Sequence, residues 1–277
     1  MTETARGFGL HDHLCWAYDE PDELYSRVLE FLGDGLAQGQ RVCYFADSHT
    51  APMWDGLRAL GETNGAPRTG AVRIESLSDR YESGVMVDPV GQVLRFASAV
   101  ADALAAGFTG LRVAADATPL VRTPEQLDAF ARYEYLVDRY ITSQPQCGLC
   151  AYNRAELGQE TIAQLACMHP TVSSDTVPFR LHASASSAAA TLSGELDSSV
   201  RDVFTTALRR ADLRSTGGEL VIDATELEFI DHRNLLALAS HARGCAATAV
   251  LRTGLTNNAA RMIEVLDLKD VRTEVPS

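Results

Sequence analysis

The first part of the chain alternates between two hydrophobic patterns. Short apolar runs typical of buried strands stand at 10–18, 41–47, 71–76, 111–116 and 147–153. Between them, apolar residues recur at helical spacing and predict helices at 24–36, 51–60, 90–106, 123–141 and 156–167. This alternation predicts an α/β fold in which helices cover a parallel sheet.

The second part has its own pattern after a break. Residues 169–177 lose their periodicity and become polar, which predicts a linker and two domains, 1–172 and 178–277. Beyond the linker, strands are expected at 179–184, 190–196, 219–225 and 248–253, and helices at 198–213, 232–244 and 257–266. About 100 residues of this kind predict one small α/β domain.

Charge and composition exclude several functions. The net charge is −13, and because no basic stripe offsets it, we expect no nucleic-acid binding. No apolar stretch is long enough for a membrane helix, and the N-terminus lacks a signal-peptide pattern, so we expect a cytoplasmic protein that does not contact membranes. Lys269 is the only lysine and follows no glycine loop, which argues against phosphate-loop and Schiff-base chemistry.

Motifs near both ends of the first part belong together: HDHLCWAYDEPDEL (11–24) with FLGDGLAQGQRVCYFAD (31–47), and CAYN to CMHP (150–170). Together they resemble the MEDS family, the sensory region of the dichloromethane repressor and of methanogen and methylotroph regulators. The resemblance implies a domain that senses small hydrocarbon-type molecules. The ligand-binding residues expected from these motifs are His11, His13, Cys15, Tyr18, Cys150, Tyr152 and His169.

Residues 31–47 also resemble the helix and strand that follow the phosphate loop of KaiC/RecA-like ATPases. Here the corresponding loop, 17–24, has no glycine and no lysine and carries four acidic residues. Like charges would meet if a polyphosphate were bound there. We therefore expect a RecA/KaiC-like domain without a P-loop, and a binding protein and not an enzyme; a degenerate ATPase is the alternative.

The cysteines and histidines allow other interpretations. His11, His13 and Cys15 alternate and would share one face of a strand. If the two ends of the domain meet, His13, Cys15, Cys150 and His169 could hold Zn²⁺, although a polar-lined pocket without a cofactor or plain core packing would use the same residues. Cys147 and Cys150 form a CxxC that could act as a redox sensor.

The C-terminal part resembles a STAS domain, the anti-sigma-factor-antagonist fold, through LSGELD (192–197), ELVIDATELEFID (219–231) and NNAARMIEVLDL (257–268). The resemblance implies partner binding at the junction Asp231, His232, Arg233 and Asn234, where switchable members carry a phosphorylatable serine in place of His232. We therefore expect a signalling or transcription-regulatory protein, not switched by serine phosphorylation. Its expected partner is an anti-sigma factor, a sensor kinase or a similar regulator, and the sequence leaves a homodimer open.

Overall fold

The structure of the chain is a computed structural model. It describes residues 4–47, 50–63, 69–77, 86–173, 177–254 and 258–275. In these ranges no helix has the length and apolar character needed to cross a lipid bilayer. The chain folds into two compact units, one built mainly from the residues before 174 and the other from the residues after it. Glu134–Arg139 and Ala163–Pro170 group with the second unit, although they belong to helices and turns that begin in the first.

The N-terminal strands form a parallel sheet. Their bounds are β1 (His13–Tyr18), β2 (Arg41–Phe45), β3 (Val72–Glu75), β4 (Leu111–Asp116), β5 (Gln146–Asn153) and β6 (Thr171–Val172). The spatial order is β3-β2-β4-β5-β1-β6, and each neighbouring pair runs parallel. All of β1 and β2 and nearly all of β5 are buried, as expected when helices cover both faces of a sheet. The predicted α/β architecture is confirmed here.

The helices that connect these strands follow the predicted pattern. They are α1 (Pro21–Ala37), α2 (Thr50–Thr63), α3 (Pro89–Ala105), α4 (Pro124–Ile141) and α5 (Arg154–Ala166). Both α1 and α3 begin at a proline and end just before a glycine with positive φ, Gly39 and Gly107. α1 and α2 pack together over a buried cluster that includes Leu14, Phe31 and Val42.

Arg112 ties α1 to the middle of the sheet. Its side chain is fully buried on β4, and its guanidinium donates to Gln40 Oε1 at 2.7 Å, to the Phe31 carbonyl at 3.0 Å and to the Phe8 carbonyl at 2.7 Å. The group also lies over the Phe31 ring, 4.7 Å from its centroid. A Cβ at Gly35 would come within 2.6 Å of Arg112 Cδ, so α1 needs a glycine at this crossing.

The C-terminal part forms a second, mixed sheet. Its strands are β7 (Phe179–His182), β8 (Ala190–Leu196), β9 (Glu219–Asp223), β10 (Leu227–Ile230), β11 (Thr248–Arg252) and β12 (Val271–Glu274). The order is β10-β8-β9-β11-β12; β7 pairs antiparallel with β8, and the other pairs are parallel. Its helices are α6 (Arg201–Arg210), α7 (His232–Gly244) and α8 (Ala259–Val265).

Several predicted boundaries were wrong. β10 and β12 were not predicted because each is four residues long with few buried side chains, so no apolar run marks it. β6 falls inside the predicted linker, of which 174–176 lie outside the described residues. The first strand begins only at His13, and the helices predicted at 198–213 and 257–266 are shorter, with residue 257 also outside the described ranges.

Candidate functional site

His13 and Cys150 meet on neighbouring strands of the first sheet. β1 and β5 run parallel, with His13 opposite Gly148 and Cys15 opposite Cys150. His13 Nε2 lies 3.7 Å from Cys150 Sγ. Gly148 leaves space for the imidazole, because a Cβ there would come 3.2 Å from His13 Cδ2. The strand register therefore places a nitrogen and a sulfur ligand side by side in the interior.

Glu134 and His169 form a second buried pair. His169 Nε2 lies 3.5 Å from Glu134 Oε2, and both side chains are fully buried. His169 Nδ1 is 2.9 Å from the Leu165 carbonyl oxygen. Since a carbonyl oxygen only accepts, Nδ1 carries the proton, and in the neutral ring Nε2 keeps its lone pair. Nε2 is then the ring nitrogen that can coordinate a cation.

The two pairs belong to one cluster. The ligand atoms of His13, Glu134, Cys150 and His169 all lie within 4.8 Å of one another. The structure thus brings together three of the four residues in the metal set predicted from sequence. Glu134 takes the place of Cys15, which is buried beside the cluster as the register partner of Cys150.

Glu134 was not predicted from sequence, although a signal for it existed. It lies on the apolar stripe of α4, at helical spacing from Phe130, Val137 and Ile141, all of which are buried. A carboxylate on the core face of an amphipathic helix is unusual, because burial of a charge is costly without compensation. Only the fold shows which residues surround it.

Other residues of the predicted ligand set lie elsewhere. His11 precedes β1 with a φ of 77°, and its Nδ1 contacts the Ile141 carbonyl oxygen at 2.9 Å, so it does not share the strand face of His13 and Cys15. Tyr152 is fully buried and packs edge-to-face against Phe130. It belongs to the core between β5 and α4.

The CxxC residues do not face each other. Both lie within β5, where side chains three residues apart point to opposite faces. Cys147 packs in the cluster beneath α1, and burial raises the pKa of its thiol to about 12. Cys150 instead contacts His13. An intrastrand disulfide would require β5 to unfold locally, and a neutral Cys147 thiol is a poor nucleophile.

A second polar group lies at the carboxyl ends of the strands. Tyr18 Oη donates to Asp116 Oδ2 at 3.1 Å, and Thr118 Oγ1 donates to Asp116 Oδ1 at 2.7 Å. The Asn153 amide in turn donates to Thr118 Oγ1 at 2.9 Å. Burial raises the pKa of Asp116 above its usual range, and burial together with the Asp116 charge raises the pKa of Tyr18. Of these four residues, only Tyr18 was predicted from sequence.

Comparison with known protein families identifies the first domain. Residues 12–170, more than half of the chain, match the model of the MEDS domain, the methanogen/methylotroph, DcmR sensory domain. The chain belongs to the MEDS family. All four residues of the buried cluster, and Tyr18 and Asp116, lie within the matched segment. A comparison with curated proteins gave no match.

The MEDS domain is followed by the mixed sheet, in which a strand-to-helix junction carries the predicted partner residues. Asp231 caps α7, its Oδ1 accepting from the Asn234 amide at 2.8 Å. Asn234 is fully buried, and its Nδ2 donates to the carbonyls of Leu196 and Asp197. Asn234 therefore stabilises the junction, and its buried side chain is not available to contact a partner protein. His232 and Arg233 are exposed.

Proposed function

We propose that the chain is a signalling protein in which the MEDS domain binds a small molecule and the C-terminal domain reports this to a partner protein. The observation that carries the proposal is the match of residues 12–170 to a sensory family. We further propose a RecA-like classification for the first sheet and a STAS classification for the second. The glycine-free, lysine-free loop 17–24 favours binding without nucleotide turnover.

The proposed ligand site is the carboxyl edge between β1 and β5. The chain leaves β1 through α1 toward β2, in the direction of one edge of the sheet. It leaves β5 through α5 toward β6, which is the strand at the opposite edge. In open α/β sheets such a reversal leaves a crevice at the carboxyl ends of the strands, where ligands bind. Tyr18 and Asn153 are the last register pair of these two strands. Tyr18 hydrogen-bonds to Asp116 directly, whereas Asn153 is connected to it through the hydroxyl of Thr118.

The chemistry of this edge favours a small, uncharged and weakly polar ligand. The carboxyl of Asp116 lies between Tyr18 and Thr118, and Asp19 is paired with Arg154 at 2.7 Å. An anionic ligand would lie close to these carboxylates and would be repelled by them, so the edge disfavours the binding of anions. The hydroxyl of Tyr18 and the ring of the buried Tyr44 offer one polar and one apolar contact, which suits hydrocarbon derivatives.

The proposed output surface is the exposed side of the junction and the adjoining groove between α6 and α7. Arg201, Arg209 and Arg233 line this groove together with Leu236, which is 44% exposed. Basic side chains around an apolar floor favour a partner with an acidic, amphipathic element. Since His232 stands where switchable STAS domains carry serine, control through the MEDS domain fits better than serine phosphorylation.

Ligand binding can be tested with short-chain alcohols and chloroalkanes added to ¹⁵N-labelled protein. We expect saturable shifts of amide resonances at the carboxyl ends of β1, β4 and β5. Tyr18→Phe and Asp116→Asn should weaken binding at least about tenfold, the effect of one lost hydrogen bond to a charged or buried group. Tyr140→Phe is the matched control, because Tyr140 lies in the last turn of α4, which leads to the amino end of β5 at the opposite edge of the sheet. Shifts that map elsewhere, or no binding across the series, would contradict the site.

Partner binding can be tested by co-purification from the native host. Arg233→Ala and Arg209→Ala should each reduce the recovery of a specific regulatory protein, because both side chains line the groove. Arg243→Ala is the control, an exposed residue in the last turn of α7 that pairs with Asp270. An identical bound set for all three variants would argue against this surface.

A further inference from the structure

The buried cluster of the MEDS domain has the composition of a metal site. His13 and His169 supply nitrogen, Cys150 sulfur and Glu134 oxygen, and each is a buried side chain. We propose that these four residues bind one divalent transition-metal ion, most favourably Zn²⁺, and that they fill all four positions of its tetrahedral coordination. This inference is independent of the small-molecule site proposed at the carboxyl edge.

The distances already approach those of a tetrahedral site. Zn²⁺ binds nitrogen and oxygen at about 2.0–2.2 Å and sulfur at about 2.3 Å, so its ligand atoms stand roughly 3.3–3.8 Å apart. His13 Nε2 and Cys150 Sγ are separated by 3.7 Å, and His169 Nε2 and Glu134 Oε2 by 3.5 Å. All remaining separations are within 4.8 Å. Closing onto an ion therefore requires side-chain shifts of about an ångström or less.

Charge also favours an ion at this position. A metal-bound cysteine is a thiolate, so Cys150 and Glu134 together would carry two negative charges and the histidines none. A divalent cation makes the set neutral, whereas an ionised carboxylate and a thiolate in the same interior would repel each other. The cluster is thus electrostatically balanced with the metal and costly to ionise without it.

The surroundings orient the ligands as in known metal sites. The bond from His169 Nδ1 to the Leu165 carbonyl fixes the ring tautomer that presents Nε2 to the ion. Gly148 leaves room for the His13 imidazole, since a Cβ at position 148 would come 3.2 Å from His13 Cδ2. The mixed set of two nitrogens, one sulfur and one oxygen favours Zn²⁺ over Mg²⁺ or Ca²⁺, which prefer oxygen ligands only.

Four protein ligands in a buried site leave no open coordination position, which is typical of structural zinc and not of catalytic zinc. The ligands come from β1, α4, β5 and the turn after α5, four segments distant in sequence. The ion would join these segments and would add its binding free energy to the stability of the domain.

The test uses the full chain, purified without an affinity tag. Metal analysis of the wild type, and titration of chelator-treated wild type with Zn²⁺ against a chromophoric competitor, should both give about one ion per chain. Replacement by Co²⁺ should produce the visible and thiolate-charge-transfer absorption of a tetrahedral site with one sulfur ligand. These wild-type measurements do not depend on a variant that folds.

Variants then assign the ligands. Cys150→Ser and Glu134→Gln should lower Zn²⁺ affinity at least about a hundredfold, and Cys150→Ser should abolish the thiolate-charge-transfer band. Cys15→Ser is the matched control, because Cys15 is a buried cysteine at the register position beside Cys150 but outside the cluster. No uptake of metal by the wild type would overturn the proposal. An unchanged Zn²⁺ affinity in Cys150→Ser, or a loss of affinity only in Cys15→Ser, would overturn it as well.

Discussion

The imidazole of His13 packs directly against Gly148, its register partner on the neighbouring strand. A Cβ at position 148 would lie 3.2 Å from His13 Cδ2 and 3.3 Å from Ile141 Cδ1. Both distances are shorter than ordinary carbon contacts, so a side chain at position 148 would displace the imidazole or Ile141 by a few tenths of an ångström. This pair of residues connects backbone geometry to the proposed metal site.

Gly148→Ala should therefore disturb both stability and metal binding. Overpacking of a core site costs about 1–3 kcal/mol, and displacement of His13 should lower Zn²⁺ affinity at the same time. Urea unfolding and competitive metal titration would measure the two effects. Gly9→Ala is the control, since a Cβ there meets no atom within 4 Å and neither property should change.

Truncation of the buried Arg112 side chain should cause a large loss of stability. Arg112→Met removes a buried guanidinium that donates to two backbone carbonyls and to Gln40, leaving acceptors unsatisfied, so the free energy of unfolding should fall by roughly 2–4 kcal/mol. Arg132→Met should change it little, because Arg132 forms an exposed i,i+4 ion pair with Asp128. Equal effects of the two variants in urea unfolding would contradict this ranking.

Substitution of two adjacent residues at the start of α7, Asp231 and His232, should affect stability differently. Asp231→Ala should cost about 1–2 kcal/mol, because the Asn234 amide loses its acceptor. His232→Ala should leave stability unchanged, since that side chain is exposed. Thermal unfolding of both variants would check that Asp231 stabilises the helix as its cap and that the exposed His232 does not contribute to stability.

Asp116 predicts a pH dependence of stability. Because burial raises its pKa in the folded state, the folded protein holds the proton more tightly than the unfolded chain. The stabilisation is complete below the unfolded pKa and is lost as the pH rises through the folded pKa. Asp116→Asn should remove this loss, so the variant should gain stability relative to the wild type as the pH rises from about 4 to about 7.

The measurement for Asp116 is chemical denaturation at several pH values. Asp55→Asn is the control, an exposed aspartate on α2, and should show no such relative gain. A difference between Asp116→Asn and the wild type that stays constant across the pH range would contradict the raised pKa.

Much of the first domain could be predicted from local pattern. The runs that became β2, β4 and β5 were marked by their apolar residues, and the helices α1, α3 and α4 by apolar residues at helical spacing; Gly39 and Gly107 marked the ends of α1 and α3, and Pro124 marked the start of α4. Short edge strands such as β6 and β12 were not, because two to four residues with mixed exposure carry no periodic signal.

The sequence by itself determined the alternation of strands and helices, the absence of a phosphate loop and the pairing of His13, Cys150 and His169 as candidates, since these depend on composition and on neighbours along the chain. Tertiary structure alone decided that Glu134, and not Cys15, completes the cluster and that Asp116 meets Tyr18. The physical reason is that strand order and register bring together residues 98 to 137 positions apart, and a one-residue change of register on β1 would turn His13 and Tyr18 to the opposite faces of the sheet.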